Sequence, residues 1–306
     1  MSILKVTHRT TYRYGAPVAF GEHRWMFRPR DSQLQRLILA ERTITPEPRS
    51  VTWIHDVFNN QIAVVNFDRP ARELSFESAI TLEHTPQTGP SFRTDEAARI
   101  WPFEYDQDTL IDIEPYRHVH YPDPAVEAWA RSLVPYDGVV DTAALLLKLT
   151  HSVREICSYS RRTSPGTQPP ALTLERKRGT CRDFTLLMME AARVLGFAAR
   201  FVTGYIYVPA RDEGRIRGSG ATHAWVQIFL PGAGWVEFDP TNGIIGTQDL
   251  IRVGVGRDPR HAKPLSGTYK GERKTFLGMD IDVRVSKLRD DVSTHLHEGA
   301  VVSFRG

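Results

Sequence analysis

The stretch from residue 178 to residue 242 constrains the fold more than any other part of the chain. Its apolar residues first recur with the period of a helix, at Phe184, Leu187, Met188, Ala191 and Leu195, and Gly196 then supplies a stop signal. Three runs of strand character follow, Ala199 to Val208, Thr222 to Leu230 and Gly234 to Pro240. A polar, glycine-containing loop from Arg211 to Gly220 separates the first two, and Pro231-Gly232-Ala233-Gly234 turns the chain between the last two. A helix with one apolar stripe must bury that stripe, and the neighbouring strands offer the surface. The expected architecture is α+β.

Cys181 stands three residues before Phe184, so it projects toward the packed side of that helix. Thr180 with Asp183 three positions later has the form of a capping box, which puts Thr180 at the N-cap and Cys181 in the first turn. There the free backbone N–H groups and the positive end of the helix dipole favour an anion. They favour a thiolate, and they suit the oxyanion of a tetrahedral intermediate. In the second strand His223, Trp225 and Gln227 alternate with Ala224, Val226 and Ile228, and in the third Trp235, Glu237 and Asp239 share one face. A three-residue loop that sets Leu230 opposite Gly234 puts His223 and Asp239 on the same face. A four-residue loop with Leu230 opposite Trp235 separates them. Taken singly, each residue has a plainer role: a packed small thiol, a satisfied histidine, a turn aspartate before Pro240. Together they supply the parts of a Cys-His-Asp nucleophilic site.

Three blocks carry a resemblance: Gly179-Thr180-Cys181-Arg182-Asp183-Phe184, Gly196-Phe197-Ala198-Ala199-Arg200-Phe201-Val202-Thr203-Gly204-Tyr205, and Thr222-His223-Ala224-Trp225 through Gly234-Trp235-Val236-Glu237-Phe238-Asp239-Pro240-Thr241-Asn242. In order and spacing they resemble the bacterial transglutaminase-like family of cysteine proteases, a branch of the papain-like superfamily. The resemblance implies a papain/transglutaminase-like core, with a helix-borne cysteine packed on an antiparallel sheet that carries the histidine and the aspartate. It implies a β-sandwich-like domain ahead of that core, and Gly256-Arg257-Asp258 resembles a segment that follows it. Carried onto this chain, it makes Cys181 the nucleophile, His223 the general base and acid, and Asp239 the group that orients the imidazole. Animal transglutaminases use a tryptophan as second oxyanion donor, and Tyr159 is the nearest aromatic candidate here. Arg182, Trp225 and Trp235 are candidates for a substrate groove; Tyr205 and Tyr207, with the two tryptophans, line a groove or pack the core. The implied activity is amide hydrolysis, peptidase or isopeptidase, through a thioester. The same triad serves a protein-glutamine transamidase, and the fold also serves catalytically silent binding modules.

A net charge of +3 over 306 residues gives no reason to expect nucleic acid. The run Arg176, Lys177, Arg178, Arg182 around the cysteine is a solvated loop or an attractor for an acidic peptide or protein substrate. Cys157 and Cys181 are the only cysteines. A disulfide between them would consume the nucleophile, so the count suits a reducing compartment, and Cys157 is expected to be packed and inert. The first residues run into an alternating strand without a signal-peptide pattern, and no apolar stretch is long enough to span a membrane. A cytoplasmic protein is expected. His118-Val119-His120 offers two metal ligands, but no cysteine or carboxylate pattern completes a site, and the reading calls for no cofactor.

Along the chain, residues 1–90 read as strand-rich: Leu4, Val6, Tyr12 and Tyr14 alternate with polar neighbours, as do Leu74, Phe76, Ile80 and Leu82, and Asn59-Asn60 marks a turn. Residues 91–122 read as a connector rich in Pro, Asp and aromatic side chains. The catalytic core spans 123–255, its helices starting at Asp123-Pro124 and Asp141. In the extension 256–306, Met279, Ile281, Val283 and Val285 alternate with polar residues, and so short a strand has to join an existing sheet.

Overall fold

The computed structural model describes residues 2–85, 92–160, 166–207, 222–247 and 249–288. The amino-terminal part is built around one long strand, β1 (Ser2–Trp25), with β2 (Gln35–Thr45), β3 (Ser50–His55), β4 (Gln61–Asn66) and β5 (Ala71–His84). The first half of β1 pairs with β5, which pairs with β2; its last residues pair with β4, which pairs with β3. Register shifts between Arg13 and Val18 and between Phe20 and His23 separate the two halves. A strand that bends at such irregularities can serve two sheets at once. Leu4, Val6, Leu74, Phe76, Ile80 and Leu82 from one sheet share a core with Trp25, Ile62, Ala63 and Val65 from the other. This is the alternation read from the sequence, closed into a sandwich.

Five helices follow: α1 (Gln107–Arg117), α2 (Pro124–Ser132), α3 (Thr142–Ile156), α4 (Pro170–Arg176) and α5 (Cys181–Val194). The Asp123 carboxylate caps α2 by accepting from Ala125 N at 2.9 Å, and Asp141 caps α3 by accepting from Ala144 N at 2.9 Å. Helix α1 lies inside the stretch read as connector. Its apolar residues Leu110, Ile111 and Ile113 lack helical spacing and Pro115 sits within it, so the local pattern hides it; Asp106 still caps it, accepting from Thr109 N. Helix α5 ends in a Schellman motif, Phe197 N to Ala192 O at 3.0 Å and Gly196 N to Arg193 O at 2.9 Å. Gly196 has φ of 87°, the left-handed turn that motif requires.

Strands β6 (Ala199–Ile206), β7 (Thr222–Leu230), β8 (Gly234–Asp239), β9 (Ile244–Ile245) and β10 (Leu250–Gly256) form an antiparallel sheet in the order β9-β8-β7-β6-β10. Ala224, Val226, Ile228, Leu230 and Phe238 on one face share a core with Phe184, Leu187, Met188 and Ala191 of α5. The helix is therefore buried on the sheet, as its stripe demands. Elsewhere the sheet meets the sandwich: Tyr205, Ile251 and Val253 join the sandwich core, and Asn60 exchanges two side-chain bonds with the backbone of Val255. Thus Tyr205 and Tyr207 pack rather than line a groove. The loop read at Arg211–Gly220 lies outside the described residues.

The chain then returns to the sandwich. Strand β11 (Leu265–Lys270) pairs with the second half of β1, and β12 (Phe276–Lys287) pairs with the first half from Leu4 to Tyr14. Val283 and Val285 of β12 enter the sandwich core, whereas Met279 and Ile281 stay exposed, so only half of the alternating stripe is buried.

Candidate active site

The hairpin register is the one that a three-residue loop requires: Leu230 faces Gly234, Gln227 faces Glu237 and Val226 faces Phe238. Continued by one step, it sets Asp239 opposite Trp225 and diagonal to His223 on the same face. His223 Nε2 donates to Asp239 Oδ2 at 2.8 Å, and both side chains are buried. Because the strands are antiparallel, the start of β7 and the end of β8 lie at one end of the sheet. There Cys181, partly buried at the first position of α5, lies close enough to the same imidazole for its sulfur to favour the charged ring. The structure thus brings Cys181, His223 and Asp239 together.

Each member is held by local bonds. The capping box forms, and the Asp183 carboxylate accepts from Thr180 N at 2.8 Å and from the Thr180 hydroxyl at 2.9 Å. It also accepts from Gln168 N at 2.6 Å, which ties the start of α5 to the segment before α4. A Cβ at Gly179 would stand 2.9 Å from Asp183 Cβ, so the approach to Cys181 needs glycine there. Asp239 accepts from Thr241 N at 2.9 Å and from Asn242 N at 3.3 Å on one oxygen, and from His223 and Asn242 Nδ2 at 2.7 Å on the other. The sequence assigns Asn242 no role, although it closes the third block of the resemblance. The Asp239-Pro240-Thr241-Asn242 turn was its only signal.

Burial of His223 opposes its charge, but the Asp239 carboxylate, its hydrogen bond and the Cys181 sulfur outweigh burial and push its proton affinity well above the ordinary histidine value. Burial likewise opposes the Asp239 charge, and here the imidazolium and the hydrogen bonds from His223, Asn242 and Thr241 prevail, holding the carboxyl below its usual range. The pair is charged across neutral pH. His223 contributes stability that is full below the ordinary histidine pKa and is lost as pH rises through its raised one; the Asp239 contribution is full above the ordinary carboxyl pKa and is lost as pH falls through its lowered one.

The other candidates are placed differently. Trp225 has no exposed surface, so it cannot line a groove; its indole N–H donates to Glu237. Arg182 turns inward, donating to Pro259 O at 2.9 Å and Ala262 O at 3.4 Å and covering the Phe201 ring. A long side chain at the packed edge of a helix finds backbone carbonyls before it finds solvent. Trp235 lies at the far end of β8 from Asp239, about 13 Å away by strand rise, packed by Arg200, Tyr116 and Phe229. By contrast Tyr159 is 57% exposed and sits beside the segment that leads into Cys181, because Ser158–Tyr159 pairs in parallel with Arg178–Gly179. Its ring lies edge-on to Phe184. Arg176 at the end of α4 is exposed, as are Lys177 and Arg178 after it.

Asp258 of the Gly256-Arg257-Asp258 segment is buried and accepts from Tyr121 and Arg260, while Arg257 O accepts from Arg193 at 2.7 Å. The segment is strapped across α5 by Arg182 and Arg193. His120 Nδ1 accepts from Arg193 at 3.2 Å, and among the described residues no three His, Cys, Asp or Glu side chains gather as metal ligands. Cys157 is buried, and burial pushes its thiol up to about 11, only partly offset by Lys177. Iodoacetamide at mildly acidic pH is therefore expected to label Cys181 well before Cys157, as read by peptide mapping. Labelling of Cys157 first would remove the nucleophile assignment.

Two sequence profiles match this chain: the one described as the bacterial transglutaminase-like N-terminal region over residues 4–83, and the transglutaminase-like superfamily over residues 131–240. Uncharacterized protein Rv2569c of Mycobacterium tuberculosis is 30% identical over 293 residues, covering 91% of each chain. The chain belongs to the bacterial transglutaminase-like family. Uncharacterized protein ML0607 of Mycobacterium leprae is 30% identical over 296 residues, covering 93% of this chain and 99% of that one. Among solved structures, a "putative cysteine protease" from Cytophaga hutchinsonii matches with a TM-score of 0.70 at 16% identity, over 95% of this chain and 92% of the other. That likeness spans both the sandwich and the core, so the two-part fold is shared. Among the described residues no helix is long and apolar enough to cross a membrane.

Proposed function

We propose that this family member is a cysteine-dependent amide hydrolase acting on a peptide or protein substrate. The observation that carries the reading is the buried His223–Asp239 pair, 2.8 Å apart, next to a cysteine at a helix N-terminus. In this mechanism the Cys181 sulfur, paired with the imidazolium, attacks the amide carbonyl. The S–C bond forms and the carbonyl π electrons move to oxygen, where the N–H groups of the first turn of α5 receive the charge. Collapse breaks the C–N bond, and the imidazolium proton goes to the leaving amine. Water then adds to the thioester, gives a proton to the imidazole and releases the acid and Cys181. Asp239 holds Nε2–H throughout, leaving the other ring nitrogen for the sulfur and the leaving group.

Tyr159 is the candidate for a second oxyanion donor, since its pairing with Gly179 holds it at the edge of the same site. Exposed Arg176, Lys177 and Arg178 favour a substrate with acidic residues near the cleaved bond. A reducing, cytoplasmic setting suits an enzyme whose Cys181 must stay a free thiol.

The test is to trap the acyl-enzyme on Cys181 by acid quench and identify the acyl group from the adduct mass. Turnover of that acyl donor is then followed with and without millimolar primary amine. Free acid is expected to predominate, because transfer requires an amine to reach the thioester ahead of water at about 55 M, which demands a built acceptor pocket. Amine adducts in excess at neutral pH would make the protein a transamidase. Failure of Cys181 to acylate with any peptide library, alongside unchanged peptide binding in Cys181→Ala, would make it a binding module.

A further inference from the structure

The imidazole of His223 has a neighbour that the triad does not use. Trp225, two residues along the same strand and on the same face, lies beside it with ring centroids 6.0 Å apart and planes within 27°. Its indole N–H donates at 2.6 Å to Glu237 Oε2, and Glu237 is itself buried. The other Glu237 oxygen accepts from Gln227 Nε2 at 2.7 Å and from Arg252 at 3.1 Å. Gln227 is fixed in turn, since its oxygen accepts from Arg200 Nε at 2.7 Å. Three side chains, Trp225 and Gln227 of β7 and Arg252 of β10, therefore converge on the Glu237 carboxylate of β8, with Arg200 of β6 holding Gln227 behind them, and this network fixes the indole edge.

The backbone makes room for that indole. Gly204 stands directly opposite His223 in the β6–β7 register, and a Cβ there would come within 2.9 Å of Trp225 Cη2 and would also collide with the Ile251 carbonyl. The indole thus occupies the space beside the imidazole that any larger residue at 204 would fill. A single hydrogen bond to Asp239 fixes the distance of Nε2 but leaves the ring free to swing about that bond. A rigid aromatic wall on one side removes the swing, and its burial keeps water from competing for Asp239.

We infer that Trp225, locked by Glu237, is a positioning residue that holds the His223 imidazole in the plane joining Asp239 to Cys181. The inference rests on the Cys181–His223–Asp239 reading. It also gives physical content to the His223-Ala224-Trp225 and Trp235-Val236-Glu237-Phe238-Asp239 spacings: each strand places a reacting or orienting group and, two residues away on the same face, the residue that steadies it.

The experiment needs no substrate. The rate of iodoacetamide alkylation at Cys181 is followed by peptide mapping from pH 5 to pH 10 in the unmodified protein, Trp225→Leu, Trp225→Phe and Glu237→Gln, with near-ultraviolet circular dichroism and urea midpoints confirming that each variant is folded. Trp225→Leu is expected to react about tenfold to about a hundredfold more slowly at pH 6, the scale of loss that follows misplacement of a group by about an ångström. Trp225→Phe, which keeps a flat ring but loses the anchor to Glu237, and Glu237→Gln, which keeps the indole but weakens its anchor, are expected to fall between. At pH 10, where an accessible thiol ionises without help, all four proteins should react alike. A deficit of the same size at every pH would signify altered access to Cys181, and an unchanged profile in every folded variant would signify that the indole merely fills the core; either overturns the inference. Should the unmodified protein react at pH 6 no faster than a simple thiol, it is the catalytic reading itself that fails.

Discussion

Replacing His223 by alanine is expected to lower single-turnover acyl transfer from a trapped donor by about 10²–10⁴, the range that general acid–base catalysis supplies. On the proposed path the imidazole has two tasks, stabilising the attacking sulfur and protonating the leaving amine. Asp239→Asn should cost less at low pH and more as pH rises. The amide oxygen can still accept from Nε2–H, but the carboxylate charge that raises the proton affinity of His223 is gone. The imidazolium is then lost at a lower pH, so the alkaline limb of the rate profile moves toward neutrality. A profile with an unmoved alkaline limb in Asp239→Asn would show that Asp239 does not tune the histidine.

The largest expected loss of stability lies away from the site, at Arg193 of α5. Its guanidinium pairs with Glu190 at 2.5 Å, both side chains fully buried, and donates to the carbonyls of Tyr116, Ala199 and Arg257. Glu190 in turn accepts from the backbone N–H groups of His120 and Tyr121 at 2.8 and 2.9 Å. The pair joins α5 to the segment before α2, to β6 and to the chain after β10. Arg193→Met leaves the carboxylate without its counter-ion and strands three carbonyls, and breaking a buried pair in this way costs about 3–5 kcal/mol. Urea unfolding should report that loss, and the double variant Arg193→Met with Glu190→Leu should recover part of it, since removing both charges spares the unpaired one. A single-variant loss below about 1 kcal/mol would mean that solvent reaches the pair and that the junction is held by apolar packing instead.

These two networks also separate what is legible along the chain from what is not. The start and end of α5, the caps of α2 and α3, and the hairpin that brings His223 to Asp239 follow from residues within a few positions of one another: Thr180 with Asp183, Gly196 after the apolar stripe, Asp123 before Pro124, Leu230 and Gly234 either side of a short turn. Local hydrogen bonding and side-chain period act at that range, so the helix that begins at Cys181, the hairpin that carries His223 and Asp239, and the α+β class were readable, while the choice of the three-residue turn that sets those two on one face was left to the tertiary structure. Tyr159 was readable only as an aromatic of suitable type; its place beside Gly179 depends on a parallel ladder between segments twenty residues apart. Arg182 and Trp225 reversed their expected exposure for a similar reason. Period assigns a residue to a face, but whether that face meets solvent or another layer depends on the sandwich and on the segment from Arg257 to Ala262, which arrive from elsewhere in the chain. The return of β11 and β12 to β1, the Glu237 anchor and the Glu190–Arg193 junction belong to the same class, since a pairing between distant residues is chosen by the burial it achieves and leaves no period to read in either partner.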